Sequence, residues 1–242
     1  MTENKKKEDL DLIKACKDGD LDTVKKLIGN GANVNAKNHY GWTALIEASM
    51  SGHLKIVQYL VEIGKDKKIY IDAKDNDGST ALIWASRDGH PETVKYLLEN
   101  DADINVKNCS NSTALIEASS IGHLEIVQCI LAEVEKGKKV DINDKDNCGF
   151  SALMYALNKG RTDIAECLRK KGADINTRDY NGWTPLMYAS KYGYIDVVKY
   201  LIKNIKHKAD VNIENKEGET ALDLAKNEEI KELLTEAMKN NN

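Results

Sequence analysis

The 242-residue sequence predicts an all-α solenoid: a row of helix-turn-helix pairs with short β-hairpin or turn connections and no real sheet. Three observations carry this expectation. A five-residue phrase recurs as Gly41-Trp42-Thr43-Ala44-Leu45, Gly78-Ser79-Thr80-Ala81-Leu82, Asn111-Ser112-Thr113-Ala114-Leu115, Gly149-Phe150-Ser151-Ala152-Leu153, Gly182-Trp183-Thr184-Pro185-Leu186 and Gly218-Glu219-Thr220-Ala221-Leu222. Successive Thr or Ser anchors stand 37, 33, 38, 33 and 36 residues apart, a base period of 33 with small insertions. Nine residues after each of the first five anchors comes another glycine: Gly52, Gly89, Gly122, Gly160 and Gly193.

Each element of a copy has a physical reason. Thr43 is placed to cap a helix, its hydroxyl accepting from an orphan amide of the first turn. Thr184-Pro185 strengthens the signal, because proline at the first helical position loses no hydrogen bond. Ala44, Leu45 and Ala48 then recur at helical spacing, and the small alanines let a neighbouring helix approach. Gly52 ends this first helix where a left-handed cap favours glycine. A second helix starts at about His53, with Leu54, Val57, Leu60 and Val61 on one face. The corresponding face reads Val94, Leu97, Leu98 in the next copy and Val127, Ile130, Leu131 in the one after. Pro91 falls in the first turn of its helix, where it is tolerated. Connecting stretches such as 72–78 (Asp-Ala-Lys-Asp-Asn-Asp-Gly) are rich in Asp, Asn and Gly, which is turn chemistry.

The period, the Gly-x-Thr phrase and the closing Gly172-Ala173-Asp174-Ile175-Asn176 type of segment together resemble the ankyrin repeat, a turn and two antiparallel helices in 33 residues. The likeness runs from about Leu10 to Leu234 and gives seven units. We read 1–9 as an N-terminal tail, 10–37 as a capping repeat, and 38–74, 75–107, 108–145, 146–178 and 179–214 as full repeats. A C-terminal capping repeat occupies 215–238, with 239–242 as a tail. Lysine-rich insertions fall in 38–74, 108–145 and 179–214. Anchors two copies apart repeat at 70 (Thr43 to Thr113) and 71 (Thr113 to Thr184), which points to duplication of a two-repeat unit. Length and repeat number also resemble the layout of the gankyrin type of proteasome-assembly chaperone.

The sequence departs from the family pattern in two ways. The family's histidine inside the Thr-Pro-Leu-His phrase is replaced by Ile46, Ile83, Ile116, Met154 and Met187, so packing must substitute for its hydrogen bond. Asn111 stands where the other copies have Gly, and asparagine tolerates positive φ at a modest cost.

Composition narrows the function. Apolar residues make up 41% of the chain, enough for a core, and 35 basic against 39 acidic residues leave a net charge of −4. That mild acidity argues against nucleic acid as the partner. No apolar run approaches the roughly 18 residues of a membrane span, and the N-terminal segment lacks the apolar core of a secretory signal. Cys16, Cys109, Cys129, Cys148 and Cys167 are odd in number and contain no Cys-x-x-Cys, so reduced thiols, packed mostly as small hydrophobes, are expected in a cytoplasmic or nuclear protein. His53, His90 and His123 share one repeat position and read as turn-packing residues rather than ligands. No nucleophile elbow, zinc-protease motif or phosphate loop is present. We therefore expect no enzymatic activity, no cofactor and no metal, and a monomer.

Two surfaces remain as candidates. The insertions Gly64-Lys65-Asp66-Lys67-Lys68, Lys136-Gly137-Lys138-Lys139 and Lys203 to Lys208 recur on alternate repeats and could form a basic ladder for nucleic acid or an acidic surface. Their plainer role is to complement helix C-termini and keep long loops soluble. The ankyrin resemblance implies the second candidate, a concave face of hairpin tips and inner helices that holds another protein or an extended peptide. Carried over position by position, that face collects Tyr40, Trp42, Trp84 and Arg87 near the start, and Phe150, Tyr155, Tyr180, Trp183, Tyr188 and Tyr192 near the end. Aromatic side chains are common interface anchors. A stability test follows from Asn111: Asn111→Gly is expected to raise the chemical-denaturation midpoint.

Overall fold

A computed structural model describes residues 3–203 and 208–239 of the chain. Thirteen helices and no strand occur among them. Six hairpins follow in order: α1 (Glu3–Asp18) with α2 (Leu21–Gly29), α3 (Ala44–Met50) with α4 (Leu54–Lys67), and α5 (Ala81–Asp88) with α6 (Pro91–Glu99). Next come α7 (Ala114–Ile121) with α8 (Leu124–Glu135), α9 (Ala152–Asn158) with α10 (Thr162–Lys170), and α11 (Pro185–Tyr192) with α12 (Ile195–Lys203). A seventh unit contributes only α13 (Glu228–Lys239). Inner helices α1, α3, α5, α7, α9 and α11 stack in one row, and the outer helices form a second row behind them.

The core runs the length of the array. Ala44, Leu45, Ile46 and Ala48 are buried, as are Ala81, Leu82, Ile83 and Ala85 and their successors. Ile46, Ile83, Ile116, Met154 and Met187, which replace the family histidine, are all buried. Apolar packing thus occupies that position throughout.

Local hydrogen bonds set the register. Thr43 Oγ1 accepts from the Ile46 N–H at 3.2 Å, and Thr80, Thr113, Ser151 and Thr184 cap their helices in the same way at 3.3–3.4 Å. One residue organises each hairpin: Asn38, Asp75, Asn108, Asp146, Asp179 and Asn215. In every case its Oδ1 accepts from the N–H groups two and four residues on, at 2.8–3.0 Å. These turns satisfy backbone amides that a tight hairpin would otherwise strand.

Neighbouring repeats are bracketed together by the shared histidine position. His53, His90 and His123 donate from Nε2 to the carbonyls of Lys17, Met50 and Arg87, at 2.9, 2.9 and 3.0 Å. A carbonyl can only accept, so Nε2 carries the proton in each. The ring lies against the inter-helix glycine of the repeat before: Gly52 has φ +73°, and a Cβ there would stand 2.6 Å from the His90 ring. Arg161 does the same work at the next junction, donating to Ser119 O at 3.1 Å and to Ser120 O.

Several details differ from the sequence reading. Helix α1 begins at Glu3 and takes in residues assigned to a tail. In the last unit, residues 221–224 form turns rather than an inner helix. Asp223 folds back onto the Thr220 N–H and hydroxyl at 2.8 and 2.6 Å, and Asn227 caps α13 through the Ile230 N–H at 3.0 Å. The stretch between them is too short for a helix. Cys109 and Cys148 are exposed at hairpin tips instead of packed. Buried Cys16 fits the expectation, and burial pushes its thiol up to about 12. Of the lysine insertions, the side chains of 65–67 and all of 204–207, including His207, lie outside the described residues.

Asn111 adopts φ +57°, as its position demands, and its amide donates to Asn147 Oδ1 at 2.6 Å. Glycine would lose this exposed bond, so the gain expected from Asn111→Gly shrinks to within about 0.5 kcal/mol. The histidine bracket predicts a larger effect. His90→Ala should lower stability by about 1–2 kcal/mol, read as a lower urea midpoint, through loss of the carbonyl bond and of packing on Gly52.

Candidate functional site

The inner helices and hairpin tips bring most of the selected residues into two groups. Near the start, the Tyr40 and Trp42 rings lie 4.6 Å apart, and Trp42 meets Trp84 edge-on at 5.9 Å. Arg87 stands over the Trp84 ring at 5.2 Å. His39, at the same tip, lies against Tyr40 at 3.7 Å. Near the end, Phe150 contacts Tyr155 at 5.2 Å and Tyr188 at 5.3 Å. Tyr188 continues to Trp183 at 5.1 Å and stacks on Tyr192 at 6.3 Å. Tyr194, which sequence reasoning missed, extends the row at 6.0 Å from Tyr192. Tyr180 is exposed at its hairpin tip, and the row of ring contacts does not include it.

Exposure separates these rings into two kinds. Tyr40, Tyr180 and Tyr192 are 52%, 56% and 48% exposed. Trp42, Trp84, Phe150, Tyr155, Trp183 and Tyr188 are half-buried. Four of these, Trp42, Trp84, Tyr155 and Tyr188, are tied to the hairpins through the second carboxylate oxygen of an organising aspartate. Asp75 Oδ2 accepts from Trp84 Nε1 at 2.8 Å and from Trp42 Nε1 at 3.2 Å. Tyr155 and Tyr188 donate their hydroxyls to Asp146 Oδ2 and Asp179 Oδ2, each at 2.6 Å. Trp42 therefore also joins two hairpins, and its ring is in part structural.

The sequence held a signal for this arrangement. Wherever the organiser is Asp and an inner helix follows, the residue nine further on is a donor ring: Trp84, Tyr155 or Tyr188. Where the organiser is Asn38 or Asn108, that residue is Glu47 or Glu117. Glu47 is 3% exposed with Oε2 unpaired. Burial pushes its carboxyl above the ordinary range, Lys17 works against that, and Asp18 adds to it. Between the two aromatic groups lies a notch of about 310 Å³, lined by Ser110, Ser112, Glu117, Ser120, Cys148 and Tyr155 among others.

The lysine insertion that is fully described points inward as much as outward. Lys136 and Lys138 contact Glu133 at 2.6 and 2.9 Å, and Lys138 also donates to Leu98 O at 2.8 Å. Burial pushes the Glu133 carboxyl up, but the two ammonium groups outweigh this and hold it below its usual range. Lys139 lies 3.4 Å from Asp141. Among the described residues, no cluster of metal-ligating side chains occurs, and no helix is long and apolar enough to cross a membrane.

Fold and surface together define a helical-repeat array that keeps one aromatic face open. A family described as ankyrin repeats (3 copies) matches residues 12–108 and 104–179, and one described as ankyrin repeats (many copies) matches 168–225. The chain belongs to the ankyrin-repeat family, whose members typically serve as non-enzymatic protein–protein interaction modules. It is similar in structure to the ankyrin repeat domain of Bcl-3, a member of the IkappaB family, with a TM-score of 0.79, 27% identity, and coverage of 93% of this chain and 97% of that one. It is 44% identical over 48 residues to Notch-regulated ankyrin repeat-containing protein A of Danio rerio, covering 20% of this chain and 43% of that one. It is 36% identical over 61 residues to the mitochondrial disaggregase of Homo sapiens, covering 25% of this chain and 9% of that one. The chain thus matches less than half the length of either curated relative.

The tyrosine–aspartate ties have a pH signature. Burial, the hydrogen bond to the aspartate and the aspartate's charge all raise the Tyr155 and Tyr188 hydroxyls above the ordinary 10.0. A raised folded value means that the native state holds the proton longer, so stability is intact below pH ~10 and falls as pH rises past it. Removing both hydroxyls with Tyr155→Phe and Tyr188→Phe should flatten the loss of stability that sets in above about pH 10, measured by urea unfolding at each pH up to about pH 11.5.

Proposed function

We propose that the chain holds another protein, or an extended peptide, on its concave face, with the aromatic row Phe150, Tyr155, Trp183, Tyr188 and Tyr192 as the principal anchor. The supporting observation is that these rings touch in sequence across the inner helices while remaining half-exposed or exposed. The aspartate ties fix Tyr155 and Tyr188 before any partner arrives, so little side-chain freedom is lost on binding. Lys191, 4.4 Å over the Trp183 ring, adds a cation at the rim. Tyr40, Trp42, Trp84 and Arg87 form a second, smaller contact region of the same kind. The reading is of a non-covalent scaffold that acts as a monomer in the cytoplasm or nucleus.

The lysine-loop reading is the weaker of the two, because the ammonium groups of Lys136 and Lys138 already satisfy Glu133. Salt titration on heparin separates the readings: retention should vanish at modest ionic strength if the loops are structural.

The rings without hydrogen-bond duties give the cleanest test of the concave face. Tyr40→Ser, Tyr180→Ser and Tyr192→Ser together should leave the far-UV circular dichroism and urea midpoint close to those of the parent. Affinity capture from the source organism should recover fewer of the parent's partners. Equal recovery by parent and triple variant would reject this face as the binding surface.

A further inference from the structure

We propose that the junction between the fifth and sixth repeats is a hinge, about which α11, α12 and α13 swing as one unit. Four junctions before it are locked by the same device, a ring or guanidinium laid over the preceding inter-helix glycine. A Cβ built on Gly19, Gly52 or Gly89 would stand 2.6–2.7 Å from a histidine ring, and one on Gly122 would stand 2.5 Å from Arg161. At the fifth junction the residue in that position is Tyr194. It turns to Tyr192 instead, at 6.0 Å, and a Cβ on Gly160 would meet nothing within 4 Å.

A second tie is missing at the same junction, this one on its hairpin edge. Between other adjacent hairpins a backbone N–H reaches a carbonyl of the tip before: Asn76 to Tyr40 at 3.1 Å, Cys109 to Asp77 at 2.7 Å, Asn147 to Ser110 at 2.9 Å and Lys216 to Asn181 at 3.0 Å. Among the described residues no such bond joins Tyr180 to the tip at Cys148. The space left open is a cleft of about 810 Å³ bordered by Asn158, Gly160, Thr162, Tyr192, Tyr194 and Ile195. The hairpin edge, although it lacks that bond, stays in close contact, since a Cβ on Gly149 would lie 2.6 Å from the Tyr180 nitrogen. Lys145 also still donates to Arg178 O at 2.8 Å. A junction in contact at the hairpins and open at the inter-helix turns moves by wedging about the hairpin edge.

The hinge runs beneath the aromatic row. Phe150 and Tyr155 belong to the fifth repeat, Trp183, Tyr188 and Tyr192 to the sixth, and Phe150–Tyr188 is the ring contact that crosses. Opening therefore changes the spacing of the two halves of the proposed anchor. That consequence rests on the recognition reading, whereas the hinge does not.

Hydrogen exchange on the free full-length protein tests the hinge without any partner. Helices α11–α12 and α3–α4 both lie one unit in from an end of the array, and the Tyr194→His variant separates the junction from fraying at the shorter C-terminal unit. Amides in α11–α12 should exchange about 10-fold or more faster than those in α3–α4. Tyr194→His, which can donate to Asn158 O as the other histidines do to their carbonyls, should bring α11–α12 level with α3–α4. The reciprocal His90→Tyr should speed exchange in α3–α4 by a similar factor. Equal protection of the two segments in the parent overturns the hinge. So does an unchanged α3–α4 in His90→Tyr, which would show that the histidine does not close a junction.

Discussion

A pair of short helices has an apolar flank on either side and no centre of its own, so each unit of this chain is folded only to the extent that its neighbours cover it. The burial of Ala48, Ala85 and Ala118 between successive inner helices is the most compact expression of that dependence. Everything else adjusts around it. The threonine caps fix where each inner helix starts, the Asn or Asp organisers fix the hairpin angle, and the histidine brackets hold consecutive turns at the spacing that the alanines allow. Stability is accordingly spread along the array as a series of local interfaces. A defect at one interface is felt there first.

The array was legible in the sequence because each signal is repeated. One Thr-Ala-Leu phrase would say little, but copies at intervals near 33, each followed by a glycine nine residues on, leave no other arrangement of the chain. Histidines 53, 90 and 123 were likewise readable as packing residues from their shared position. The open seam was not, although Tyr194 breaks the series in plain view. A substitution in a repeat position says that a contact changes, and only coordinates say whether another residue fills the space. At Gly122 the arginine does so, and at Gly160 nothing does.

The aromatic clustering was legible in which rings lie together and less so in how they are held. Sequence position alone gathered nine of the ten proposed side chains into ring or cation contacts, leaving Tyr180 apart. What position could not show was that Trp84, Tyr155 and Tyr188 lean on carboxylates nine residues earlier. That pairing emerges only when both members are compared across copies, Asp with a donor ring and Asn with Glu. The final unit was legible as shortened, but not how its inner helix is lost: Thr220-Ala221-Leu222 keeps the phrase, while Asp223 competes for the Thr220 amide and hydroxyl and turns the chain.

The shared aspartates have a consequence for how such a protein can diversify. Tyr155 and Tyr188 serve their own hairpins as well as the open face, so a change of ring at either place leaves Asp146 or Asp179 without its partner. Tyr40, Tyr180 and Tyr192 carry no such obligation. On the proposed binding face, single replacements at those three points can alter the outskirts while the tied rings stay in place.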